Sequence, residues 1–318
     1  MRLFKFADHV NIDFVAGRHI AFLVTAIMVF GSLALFAFKG LNFGIDFSGG
    51  IMMEVVTPVK PDLSKLRTDL NNLNMGNISL QEFGSERSVL IRIPEQQGGM
   101  DAQKQAIETI KAKIDSEFTS SAEKVEYRRS EYVGPQVGEE LKRSGLWAFA
   151  LTIIGILGYI WYRFEWQFGV AAIVTLVHDT LAVVGLFSLT GMNFDLGTLA
   201  AVLLVAGYST NDTVIVFDRI RENMRKYKKM AMRDVINLSV NQTLSRTLNT
   251  SFTTLLSLIA LWAFGGDVIR DFVNAMIFGI LVGTYSSIYV ASSSLLYLPF
   301  ADAAKRSEHQ PPSEVLST

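Results

Sequence analysis

The chain has 318 residues, of which 50% are hydrophobic and 19% charged, and its formal net charge is −1. That balance fits a membrane protein and gives no electrostatic reason to expect nucleic acid or another strongly charged partner. Having no cysteine, the chain lacks disulfides, thiolate metal sites and a cysteine nucleophile; its four histidines show no metal-ligand spacing, so neither a cofactor nor enzymatic chemistry is expected.

Residues 1–19 carry Arg2, Lys5 and Arg18 and lead into the first apolar run, residues 20–38, closed by Lys39-Gly40. A bilayer crossing needs roughly 20 residues at 1.5 Å rise each, so this run predicts a first transmembrane helix within 20–39. It does not read as a cleavable signal peptide, because the run is too long and no small-x-small site follows it.

Residues 40–143 read as one domain outside the membrane. Its opening run, Gly44-Ile45-Asp46-Phe47-Ser48-Gly49-Gly50, resembles a phosphate loop only superficially. A phosphate cradle needs a helix directly after its glycines, whereas this run leads into a strand; a tight chain reversal is expected instead. Strands are predicted at 51–56, 78–83, 89–93 and 125–133, with amphipathic helices at 62–73 and 101–118. The β-α-β-β-α-β order is that of a ferredoxin-like unit. The expected fold class is therefore an α-helical integral membrane protein of six transmembrane helices with one α+β ferredoxin-like outer domain.

The other five spans are expected near 146–162, 168–189, 194–217, 243–264 and 272–298, inside a membrane domain of residues 144–300 followed by a tail, 301–318. Positive charge orients them. Arg163 lies between the second and third spans. Seven Lys and Arg residues between Arg219 and Arg233 follow the fourth, and Lys305 and Arg306 follow the sixth. The loop after the third span has no Lys or Arg, and that after the fifth has only Arg270 between Asp267 and Asp271. The positive-inside rule then puts both termini in the cytoplasm and residues 40–143 outside. The basic segment 221–242, expected as a cytoplasmic loop, has two readings, attachment to anionic membrane lipid or a partner, or topology determination alone.

The fourth span carries the chief functional clue. Its purely apolar part, 199–206, is too short to cross, so the helix must continue through Gly207-Tyr208-Ser209-Thr210-Asn211-Asp212-Thr213. An acid at membrane depth costs about 2.5–3.5 kcal/mol on insertion scales and marks an ion or proton pathway. The alternative is solvation of Asp212 near an aqueous end. On the fifth span Gln242, Arg246, Asn249 and Thr253 share one helical face. An arginine opposite Asp212 favours the charged carboxylate and desolvation favours the neutral acid, so small movements would load and release a proton. The competing reading is that Arg246 snorkels to the headgroups. His178-Asp179 in the third span is a secondary intramembrane pair without a partner visible in the sequence, serving either proton movement or helix packing.

Three segments bring a family into view: NFGIDFSGG at 42–50, GYSTNDTVIVFDRIREN at 207–223 and NQTLSRTLNTSFTTL at 241–255. They resemble the SecF family of bacterial Sec protein-export subunits, part of the SecD/SecF group in the resistance-nodulation-division superfamily. One departure is Thr210, where the family often has Ile. The resemblance implies a multi-pass protein of the bacterial inner membrane with a periplasmic outer domain. Its pseudo-symmetric partner would be SecD, and together they would act with the SecYEG channel, with YajC and YidC as further candidate partners. Proton motive force would promote late translocation of preproteins, with Asp212 as the proton-coupling acid and Arg246 as the arginine working with it. A proton-driven small-molecule efflux half of the same superfamily and a passive translocon scaffold are the alternatives. No nucleotide-binding loop is present, so ATP is not expected to be this chain's energy source.

Overall fold

The structure, a computed structural model, describes residues 11–76, 78–118, 123–266 and 269–300. The predicted tail 301–318, the basic residues Arg2 and Lys5, and Asp267 lie outside the described residues. In chain order the elements are α1 (Arg18–Lys39), β1 (Asn42–Phe43), α2 (Ile45–Ser48), β2 (Gly50–Val56), α3 (Leu63–Asn71), β3 (Ser79–Phe83), β4 (Ser85–Ile93), α4 (Gly99–Glu117) and β5 (Glu126–Val133). Then come α5 (Pro135–Arg163), α6 (Trp166–Thr190), β6 (Asn193–Phe194), α7 (Leu196–Lys226), α8 (Met232–Phe264) and α9 (Arg270–Tyr285). The last helix continues through a π-helical segment, Ser286–Ala291, and two short turns to Tyr297. Among the described residues six helices, the sixth running over Arg270–Tyr297, are long and apolar enough to cross a membrane.

The four-stranded sheet has the order β3-β4-β2-β5 and is antiparallel at every pairing. Alternation along β2 puts Ile51, Met53 and Val55 on one face, where they meet Leu66 and Leu70 of α3 and Ile110 and Ile114 of α4. Both helices form because their apolar residues recur at helical spacing, and the Asp62 carboxylate caps α3 by accepting from the Ser64 and Lys65 amides at 2.9 and 3.2 Å. The strand predicted at 89–93 in fact begins at Ser85, because Gly84 at φ 77° makes the hairpin bend alone.

The membrane helices differ from expectation mainly in length. α5 begins eleven residues before the predicted 146, carrying polar turns out of the apolar layer. The segment predicted as a basic loop, 221–242, is mostly helix: α7 runs to Lys226 and α8 starts at Met232. Arg and Lys are good helix formers, and α8's early stripe, Ile236, Val240 and Leu244, packs with Phe217 and Ile220 of α7 in one core. The chain before α1 is also tied down. Asn241 of α8 brackets Ile12, accepting its N–H at 3.0 Å and donating to its carbonyl at 2.9 Å. Phe14 and Val15 are buried beside it.

Close helix approach depends on small residues. A Cβ on Gly279 of α9 would collide with Val205 of α7, and one on Gly283 would come within 3.0 Å of Ser209 Cβ. Gly185 of α6 similarly admits Ser32 of α1. α1, α5 and α8 are the least buried spans, whereas α6 and the last span are the most buried.

The compact core of the sheet unit predicts that residues 45–140, expressed alone, fold cooperatively with mixed helix and strand signal. Ile110→Ala in that fragment is expected to cost about 2–5 kcal/mol, the range for a buried aliphatic truncated to alanine. Denaturant unfolding followed by circular dichroism measures both, and a fragment without a transition would show that this unit depends on the membrane helices.

Candidate functional site

α7 buries one stripe along its length. Val202, Val205, Ala206, Ser209, Asp212, Thr213, Val216 and Phe217 recur at intervals of three and four, all shielded. The stripe is apolar at both ends and polar for just over one turn in the middle, so helical periodicity itself carries Asp212 inward. Asn211, its neighbour in sequence, falls on the exposed side and takes no part.

Three helices meet at this polar turn. Asp179 of α6 is fully buried, its Oδ1 2.8 Å from His178 Nδ1. Its Oδ2 accepts from Ser286 Oγ at 2.9 Å and from Ser209 Oγ, joining α6 to the last span and to α7. Beside this clasp Thr213 Oγ1 and Ser287 Oγ lie 3.0 Å apart, and Ser287 Oγ donates to the Ser209 carbonyl at 3.4 Å. Ser286 and Ser287 open the π-helical segment, a rare geometry that recurs at functional sites. His178-Asp179, read from sequence as lacking a visible partner, thus has partners on two other helices. The missed residues, Ser209, Thr213, Ser286 and Ser287, carried one usable signal, namely hydroxyls inside otherwise apolar spans.

Asp212 stands in contrast. It is 1% exposed, and neither carboxylate oxygen has a hydrogen-bond partner. Nearby on α8, Thr247 Oγ1 and Asn249 Oδ1 are buried and unpaired as well. Arg246 is close enough for its charge to act on Asp212, yet no ion pair joins them among the described residues. The face shared by Gln242, Arg246 and Thr253 is exposed, with Asn249 partly so. The expected acid–arginine pair is therefore adjacent but open, because Arg246 leaves α8 on its outer side. Such a carboxylate has no hydrogen bond to stabilise its charge and responds to any group brought beside it. No cluster of metal-ligating side chains occurs among the described residues.

The run 44–50 lies far from this site and does more than reverse the chain. Gly44 donates its N–H to the Phe194 carbonyl at 2.8 Å, and Asp46 Oδ2 accepts the Leu196 N–H at 3.1 Å. Gly49 and Gly50 take φ of 69° and 110°, and a Cβ on Gly50 would come within 2.5 Å of the Ile93 carbonyl oxygen. No L side chain fits there.

Two sequence families match the chain: "Protein export membrane protein SecD/SecF, C-terminal" over residues 113–300 and "SecD/SecF GG Motif" over residues 34–57. The protein translocase subunit SecF of Rickettsia akari is 44% identical over 291 residues, covering 91% of this chain and 92% of that one. The SecF of Cereibacter sphaeroides is 43% identical over 297 residues, covering 92% of this chain and 90% of its own length.

The chain belongs to the SecF family.

Solved SecDF structures agree. The crystal structure of SecDF from Thermus thermophilus, described as a translocon-associated membrane protein, superposes with TM-score 0.81 at 35% identity over 92% of this chain. A SecDF in a super-membrane-facing form gives TM-score 0.65 over 94% of this chain. This SecF-family chain spans 39% of each of those longer chains. Family and helices together make it a multi-pass membrane protein.

The two acids of this site differ in a way that thermal unfolding of the purified protein separates. Asp179→Ala strips His178 and Ser209 of their acceptor, leaves Ser286 only the Gly283 carbonyl, and is expected to cost about 3–5 kcal/mol, as for a broken buried pair. Asp212→Asn removes no hydrogen bond and relieves the burial of an ionisable group, so its Tm should stay level or rise. The reverse order would contradict these partner assignments.

Proposed function

We propose that this chain is a protein-export subunit of the bacterial inner membrane that works with SecD, using proton motive force to promote late preprotein translocation through SecYEG. One observation carries the reading: a fully buried, unpartnered Asp212 midway along a membrane-spanning helix, with Arg246 on the neighbouring helix near it but unpaired. Proton arrival neutralises the acid; movement of α8 that brings Arg246 to it favours release. A charge crossing the membrane potential supplies about 2.3 kcal/mol per 100 mV, enough over repeated cycles to drive helix rearrangement.

The identity with translocase subunits favours export over small-molecule efflux. The buried acid argues against a passive scaffold. The longer SecDF chains support SecD as the missing half, while YajC and YidC follow from the resemblance alone. For the unit built on residues 40–143, the β-α-β-β-α-β order and the all-antiparallel strand order support a ferredoxin-like periplasmic domain. On this reading residues 1–19, the α7–α8 connection and 301–318 are cytoplasmic.

Topology is testable in this cysteine-free chain. Gly98 has φ 123°, where a cysteine is strained, so the exposed Gln97 is the better outer probe. Cysteines placed singly at Gln97 and Lys228 should react from opposite faces with an impermeant thiol reagent in intact cells. Equal labelling would overturn the orientation.

The function itself turns on Asp212→Asn, which keeps side-chain size and cannot exchange a proton. At matched protein levels this variant is expected to assemble with SecD and keep ATP-driven early translocation, yet lose the part of export that depends on proton motive force. Arg246→Met should give a similar, leakier defect. Full export by Asp212→Asn that still collapses with the proton gradient would sink the proton-carrier role.

A further inference from the structure

Outside the membrane, one knot of contacts ties the sheet unit to the helix that bears Asp212. β1 and β6 pair in parallel, with Asn42 opposite Asn193 and Phe43 opposite Phe194. Asn42 Nδ2 donates to the Gly191 carbonyl at 2.9 Å and to Asn193 Oδ1 at 3.1 Å, while its Oδ1 accepts from Arg92 of β4 at 3.0 Å. The Asn193 N–H goes to Asp271 Oδ2 of α9 at 2.9 Å. Arg92 is partly desolvated there and feels both Asp271 and Asp195. Beneath the ladder Phe47 and Phe194 stack with ring centroids 6.1 Å apart, and Phe187 meets Phe194 edge-on at 5.3 Å.

Asp46 holds the central position. The first amide groups of a helix have no intrahelical acceptor and carry partial positive charge. In α7 the Asp195 carboxylate takes the Thr198 N–H in a capping box. The Leu196 N–H goes instead to Asp46, which lies 150 positions earlier in the chain. Asp46 sits on α2, a single turn that runs through Gly49-Gly50 straight into β2, the strand flanked by β4 and β5. A displacement of α7 along its axis therefore pulls on β2 through one short rigid link. Asp212 lies 16 residues down that helix, about 24 Å at 1.5 Å rise each.

We propose that Asp46 is a positioning residue that couples the outer domain to α7, so that events at Asp212 reach the sheet through the Asp46–Leu196 contact and the β1–β6 ladder. This rests on the proton-coupling role of Asp212 proposed above.

The test uses the full chain in membranes with its partners, at matched levels, and reads export together with hydrogen exchange of β2 and β5. In the otherwise native chain Asp212→Asn is expected to change exchange in both strands. Asp46→Ala should erase that change and lower export about fivefold or more, the factor for a lost cap of about 1 kcal/mol. Asp46→Asn keeps an oxygen acceptor and should behave as native. Leu196→Pro reaches the same contact from the other side: proline suits a first helical position and removes the donated N–H, so it should uncouple as Asp46→Ala does even if that variant fails to accumulate. Native export by Asp46→Ala or Leu196→Pro, or an outer-domain response that persists in them or is absent from the native chain, would overturn the proposal. Failure of the proton-coupling reading looks different. There Asp212→Asn exports normally, while Asp46→Ala against Asp46→Asn still reports whether the link matters.

Discussion

Hydrocarbon offers a buried carboxylate nothing, so every acid in a membrane helix must find its partners on neighbouring helices or remain without them. The membrane half of this protein contains both outcomes on two helices that pack together, α6 and α7. Asp179 gathers His178, Ser209 and Ser286 and so pins three helices at one depth. Asp212, one turn along α7 from Ser209, gathers none. The satisfied acid makes a fixed point, and the unsatisfied one is left free to respond. The glycines at 279 and 283 bring α7 and α9 close enough for that fixed point to form.

From there the architecture reads outward. α7 is held at mid-span by the hydroxyl cluster, at its C-terminal end by the core it shares with α8, and at its N-terminal end by Asp46 and the small parallel ladder. α8 is held less completely at mid-span, where its polar face looks outward and Arg246 is exposed. An exposed arginine on a membrane helix is tolerable where another polar surface covers it. A SecF-family chain that spans 39% of the SecDF chains it resembles has room for such a neighbour.

Much of this was legible in the sequence. Apolar runs located six spans, and period-two and period-3.6 patterns located the strands and helices of the outer unit, because both signals are local. Asp212 stood out because the helix had to pass through it to reach the far side. The remaining features depend on contacts remote in sequence. The two-residue strands at 42–43 and 193–194 have no pattern of their own and exist only by pairing with each other. Asp46 looked like part of a turn because its partner amide is in another helix. The arginine expected against Asp212 proved to be near it but directed away, since helical spacing fixes a face and does not say which neighbour that face meets. Basic residues after the fourth span suggested a loop, whereas their high helix propensity let the helix continue.

The π-helical segment at Ser286–Ala291 has a consequence for the last span as a whole. A widened turn is what remains when a helix accommodates an extra residue. The portion before it, with Gly279 and Gly283 facing α7, and the portion after it, which reaches the core shared by α7 and α8 through Ala291 and Leu295, therefore keep the facing they would have without the extra residue. Deleting a single residue there would restore an even helix with both portions near their present phases, whereas the same deletion in the regular turns on either side would turn one portion by about 100° against the other, so that only one of its two sets of contacts could be made at a time.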